Sequence, residues 1–211
     1  MRQWIDITRP MNDRMNCWPG RTPPVRTWDK SIAGGDHCNA SSWRLSAHTG
    51  THMDAPLHFC RNGLPIDQIP LEVFAGPCTV VDLIARNATV LDVDIADEIV
   101  GAQRLLIRST HSNPDQLTHY NDHEAILTPD AARCLLDGGL LLIGTDRLTV
   151  DDARGEAFTL HHLLLGEGCA IIEGLWLADV QPGQYELHAA PLRMTHAEAS
   201  PVRALLRNLE P

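Results

Sequence analysis

Four side chains able to bind a metal or carry a proton stand close together: His48, His52, Asp54 and His58, in the segment HTGTHMDAPLH. All four positions are even, and on an extended backbone side chains two apart share a face. A helix would keep His48 beside His52 but swing Asp54 away, and Gly50 and Pro56 disfavour one. The segment reads as a strand end or extended loop that offers four polar groups to one side. Two imidazoles and a carboxylate supply ligands that a zinc-class ion accepts, and no cysteine lies among them. Closed structural zinc sites draw on cysteine, whereas catalytic sites use His and carboxylate and keep a position open, so the cluster leans catalytic. His58 lies past a proline from Asp54. It is expected to stand off the metal, as a general acid and base near neutral pH.

A second constellation, HHLLLGEGCAIIEGL, carries His161, His162 and Glu173. A carboxylate inside AIIEGLWL is costly to bury unless it is paired or metal-bound. An arginine partner would explain Glu173. A metal explains it better, because it would complete a carboxylate-bearing site with the first cluster. His162 reads as a helix-surface residue. His119, His123 and Glu124 fall in a polar, turn-rich stretch and read as a loop, solvated or lying over a pocket. His37, His188 and His196 are isolated and are given no role.

The elements that must position these groups are of both kinds. The apolar runs at 79–84, 104–109, 139–146 and 169–177 suit strands buried on both faces. Helices are expected at 92–100, at 128–139 with Thr128 as N-cap and Pro129 in the first turn, at 159–166 with a Thr cap, and at 200–208. The segment CNASSWRLSAHTG alternates as a strand with one wet face should. The class is mixed α/β, with residues 1–211 read as one domain.

Composition narrows the partners. A formal charge of −10 with no basic cluster argues against nucleic acid. No window reaches membrane-spanning length, and MRQWIDITRP has no apolar run of a secretory signal, so a cytoplasmic location is expected. The six cysteines form no C-x-x-C pair and are expected to be reduced, most of them buried apolar residues, with Cys17 and Cys60 left open.

Taken together these segments resemble the bacterial kynurenine formamidase branch of the metal-dependent cyclase family, whose hallmark H-x-G-T-H-x-D-x-P-x-H is matched by HTGTHMDAPLH. The likeness continues in CWPGRTPP at 17–24, LLIRS, IIEGLWLADVQPGQYELHAAPL at 171–192 and ASPVRALLR at 199–207. It implies a swivelling β/β/α fold with a mixed sheet and a few helices, commonly a homodimer. It implies two divalent ions, usually zinc, with manganese the alternative. His48, His52 and Asp54 would hold the first ion; Asp54 would bridge to the second, which His161 would also bind, and Glu173 would complete the site, touching both. The family's histidine stands twelve positions before its glutamate, which selects His161 over His162. His58 would be the proton donor and acceptor, and Trp18 would stack on the substrate ring. The implied reaction is hydrolysis of the formamide of N-formyl-L-kynurenine. Opening of a cyclic amide such as isatin on the same centre is the alternative, and a non-catalytic metal-binding protein the least favoured reading. Two segments depart from the pattern. GTDRLT places Arg147 and Leu148 where small or rigid residues are usual, and the loop at 110–127 lacks the aromatic-rich character expected near a formamidase pocket. Both are candidates to face the substrate, and an arginine there would suit a carboxylate.

Overall fold

The computed structural model describes residues 3–15, 17–18, 20–112 and 124–209. Its centre is four parallel strands, β5 (Ala75–Asp82), β6 (Arg104–Arg108), β7 (Leu142–Thr145) and β8 (Ala170–Glu173), joined by crossovers that contain α1 (Val93–Glu98), α2 (Pro129–Asp137) and α3 (Thr159–Gly166). Antiparallel strands extend both sides: β1 (Trp4–Asp6), β11 (Leu205–Asn208) and β9 (Gly183–His188) beyond β5, and β4 (His52–Asp54) and β10 (Ala199–Pro201) beyond β8. The result is a curled nine-stranded mixed sheet in the order β1-β11-β9-β5-β6-β7-β8-β4-β10.

The central strands are apolar throughout because both of their faces are covered. Leu105, Ile107, Ile143 and Ile171 point toward the helices and pack with Ala131, Leu135, Leu160 and Leu164. The alternating Leu106, Leu142 and Ile172 point the other way, into a second core with Met53, Leu187 and Leu206. Each such fully buried aliphatic side chain contributes about 1.5–3 kcal/mol.

Helix ends follow local chemistry in two cases. Asp92 accepts the Ile95 N–H (3.1 Å) at α1, and Thr128 accepts the Ala131 N–H (3.2 Å) at α2. At α3 the expected Thr cap is not what forms. Thr159 is the first helical residue, and the carboxylate of Asp151 accepts the N–H groups of Leu160 (2.8 Å) and His161 (3.0 Å) instead.

Two further expectations fail. The segment 200–208 is not a helix but β10 and β11, because Ala199–Pro201 pairs with β4 and Leu205–Asn208 with β9; long-range pairing overrides a local helical pattern. The strand in CNASSWRLSAHTG is β3 (Ala40–Arg44). It has no buried face, since it pairs only with β2 (Val25–Lys30) in a separate two-stranded sheet whose residues are nearly all exposed. Among the described residues no helix is long and apolar enough to cross a membrane.

Candidate metal centre

The centre forms where β4 meets β8. Their antiparallel register sets His52 opposite Glu173, and Asp54 lies two residues further on the same face. A close backbone approach holds the pair of strands there. Gly174 follows Glu173 at φ +69, and a Cβ on it would meet the Gly50 carbonyl oxygen at 2.6 Å, so only glycine fits. Thr51 Oγ1 donates to the Gly174 carbonyl across the same gap (2.6 Å). The even-parity face therefore holds strictly for His52 and Asp54. His48 arrives from the turn before β4, and His58 from the single helical turn Pro56–His58 after it. The first turn of α3 brings His161, which is buried, while His162 faces solvent.

The donor atoms converge. His48 Nδ1 lies 2.9 Å from Asp54 Oδ1, and His52 Nε2 lies 3.5 Å from the same oxygen and 3.6 Å from Glu173 Oε2. His161 Nε2 lies 3.6 Å from Asp54 Oδ2 and 3.3 Å from Glu173 Oε1. Two sets of ligand atoms each fall within 4.8 Å, His48 with Asp54 and His58, and His52 with Asp54 and Glu173; Asp54 belongs to both. The far ring nitrogens are tied back. His52 Nδ1 donates to the Gly50 carbonyl (2.9 Å), His161 Nδ1 meets Asp151 Oδ2 (2.7 Å), and His48 Nε2 meets Glu198 Oε1 (3.1 Å). Outer partners of this kind fix the tautomer and aim the free lone pair at a metal.

Electrostatics make the same point. Burial alone would raise the Asp54 carboxyl, yet His52, His161 and His48 hold it well below the usual range, so it is anionic. Although its oxygens stand at ion-pair distance from these rings, neither accepts a well-oriented hydrogen bond. Burial opposes charge on His161, but Asp151, Asp54 and Glu173 outweigh it and push the ring up to about 12. A field that favours an imidazolium so strongly favours any cation. An unbonded buried carboxylate facing imidazole nitrogens is a polar group left wanting a partner, and the residues fit a divalent ion. His58 differs. Burial, offset by Asp54, takes it down to about 4, so it is a neutral base at physiological pH. Its ring packs against that of His48, tilted by 36° at a centroid distance of 4.2 Å, and comes within reach of the same carboxylate.

Above this floor opens a cavity of about 150 Å³ walled by Trp18, Phe59, Phe158 and Leu148, with Arg21 at its edge. Phe59 packs on His161 (4.7 Å) and on Phe158 (5.3 Å), whose backbone is in the left-handed region at φ +45. Trp18 faces Phe158 at 6.4 Å.

A family model described as a putative cyclase matches residues 5–152. The chain belongs to that family. Kynurenine formamidases of Salinibacter ruber (strain DSM 13855 / M31) and Paracidovorax citrulli (strain AAC00-1) are 39% and 37% identical to it, over 97% and 98% of this chain and 97% of each relative. Among solved structures, a potential metal-dependent hydrolase with cyclase activity superposes with a TM-score of 0.82 at 31% identity, covering 100% of both chains.

Within this cyclase-family centre, several residues stand where the sequence did not place them. Arg147 is buried, and its guanidinium donates to the carbonyls of Glu124 (2.6 Å) and Thr89 (2.9 Å). It ties two loops together and does not line the cavity; Leu148 does. Of the 110–127 loop, and of the histidine-rich THYNDHE stretch within it, residues 113–123 lie outside the described residues. All six cysteines are free; Cys17 borders the cavity, and Cys60 packs beside the helix-side core. Asp151 and Glu198 were not anticipated. No spacing rule connects Asp151 to His161 across ten residues, and Glu198 reaches His48 only because β10 pairs with β4.

Proposed function

We propose that this chain hydrolyses the formamide of N-formyl-L-kynurenine to L-kynurenine and formate. The observation that carries the reading is the position of Asp54 between two donor groups on the floor of an aromatic-walled cavity, with His58 beside it. The near-full-length similarity to kynurenine formamidases supports the choice of substrate. On this reading His48, His52 and Asp54 hold one divalent ion, and Asp54, His161 and Glu173 a second. Zinc is the first choice for such a donor set and manganese the alternative. Ions bound there supply Lewis acidity, which activates water and polarises a carbonyl.

The chain's own residues do the rest. Trp18 and the phenylalanine walls take the aryl ring and keep bulk water away from the formamide. His58, neutral at rest, accepts the proton that the attacking water gives up. It returns that proton to the anilinic nitrogen as the C–N bond breaks, so that an amine leaves in place of an anilide. The added oxygen departs in formate, and the balance is one water per turnover.

The test is an assay of the metal-loaded protein with N-formyl-L-kynurenine and isatin side by side. Kynurenine release well above any isatin opening is expected. Isatin as the sole substrate would move the reading to cyclic amides, and turnover of neither would reject both.

A homodimer formed through the β2–β3 hairpin belongs to the same proposal. An isolated two-stranded sheet is marginal in water, and this one displays Val25, Trp28, Ile32 and Trp43 on and beside it. Sedimentation should give twice the 23.3 kDa chain mass, reduced to one chain by Trp28→Glu with Trp43→Glu. Wild-type protein at the single-chain mass would remove this part.

A further inference from the structure

The cavity has a floor for the scissile amide and walls for an aryl ring. What remains is its edge, where Arg21 is the one lysine or arginine among the described lining residues. The side chain is held in place. The sequence Trp18-Pro19-Gly20-Arg21 has the Pro-Gly order of a tight turn; Gly20 takes φ +82, and the Arg21 N–H donates to the Trp18 carbonyl (2.9 Å). The ends of such a turn are less than about 7 Å apart at Cα. Arg21 and the ring-stacking candidate Trp18 are therefore set side by side at one mouth.

A second link runs to the floor. Arg21 Nη1 donates to Ser46 Oγ (2.7 Å), and the same hydroxyl accepts the His48 N–H (3.3 Å). One hydroxyl thus separates the guanidinium from the backbone of a proposed metal ligand. Only one nitrogen of the fork is used in that bond. The guanidinium is exposed at the opening. Its remaining donors match the planar, two-oxygen geometry of a carboxylate.

We propose that Arg21 recognises a carboxylate on the substrate, so that the enzyme selects acidic aryl amides over neutral ones. The inference rests on the formamidase reading and adds to it the group that distinguishes the substrate's distal end. It also fits the chain as a whole. With a formal charge of −10, the protein offers an anion little general attraction, so a local cation at the opening has work to do. The arginine expected from sequence to do this, Arg147, is committed to backbone carbonyls elsewhere.

The experiment compares N-formyl-L-kynurenine with its methyl ester, which removes the negative charge and keeps ring, ketone, formamide and ammonium. Wild type should favour the acid. Arg21→Ala should lower the acid-to-ester ratio of kcat/KM by roughly 10- to 100-fold, the range of one lost charge-assisted contact. Arg21→Lys should retain part of the preference and Arg21→Glu should invert it. Calorimetry with L-kynurenine and its methyl ester gives the same comparison for binding without turnover. A purely structural Arg21 would change both substrates alike, and an unchanged ratio in Arg21→Ala overturns this inference while leaving the formamidase reading intact. Deformylation of neither acid nor ester by wild type overturns that reading and this one with it.

Discussion

The floor and the mouth of the cavity are built on opposite principles. On the floor, His52, Asp54, His161 and Glu173 are almost wholly buried, each held by a strand pairing, a helix turn or a backbone hydrogen bond. Glu173 Oε1, for example, accepts the Val150 N–H (2.9 Å) while facing His161. At the mouth, Trp18 is half-buried and Arg21 exposed, both hung on one turn. The floor is over-determined and tolerates no substitution without leaving a buried charge unanswered. The mouth can change at little cost to folding. On the proposed reading, chemistry is fixed by the buried floor, and substrate choice is set by side chains carried on one turn at the opening.

The largest expected effect strikes the floor. Asp54→Ala removes the carboxylate common to both donor sets, so elemental analysis should show loss of bound metal and turnover should fall to background. Full metal content in this variant would contradict the shared-ligand assignment.

Next is His58→Ala. The residue touches the floor but is assigned to protons, so metal content should persist while kcat falls by about 10²- to 10⁴-fold, the usual worth of a positioned acid–base. Loss of metal together with activity would instead make His58 a ligand, a possibility its closeness to His48 and Asp54 makes worth separating.

A smaller effect is expected behind the floor. Asp151 accepts from His161 Nδ1 and caps α3 through two backbone N–H groups. Asp151→Asn keeps an oxygen for one cap bond but loses the second acceptor that orients the imidazole. Metal affinity, measured by chelator competition, should weaken by roughly 10- to 100-fold, with helix content by circular dichroism retained. Unchanged affinity would reduce Asp151 to a helix cap.

These residues also mark how far the sequence could be read. His48, His52, Asp54 and His58 were legible because they are near one another in the chain; extended parity accounts for His52 and Asp54, while the turns on either side of β4 bring in His48 and His58. Glu173 was legible because a carboxylate inside an apolar run demands an explanation. Asp151 and Glu198 were not, since each reaches its histidine through contacts the linear order does not encode. The same cause turned 200–208 from an expected helix into two strands, each selected by a partner far away in the chain. Continuous apolar runs revealed the four central strands for the converse reason: with both faces covered, their apolar character is a property of the strands themselves. Arg147 and Arg21 could not be ranked from sequence, because a guanidinium's role depends on which oxygens surround it.

The smallest effect should come from the mouth, and it is the sharpest test of the contrast. An offset-stacked or edge-to-face aromatic contact is worth about 0.5–1.5 kcal/mol beyond area burial. If Trp18 only receives the aryl ring, Trp18→Ala should raise KM for N-formyl-L-kynurenine by roughly two- to tenfold, with kcat nearly constant and metal content unchanged. Trp18→Phe should recover most of that loss. A fall in kcat of the size expected for His58→Ala would mean that the ring positions the formamide for attack as well as holding the substrate. The mouth would then belong mechanically to the floor, through the Trp18–Phe158 contact and the packing of Phe158, by way of Phe59, onto His161.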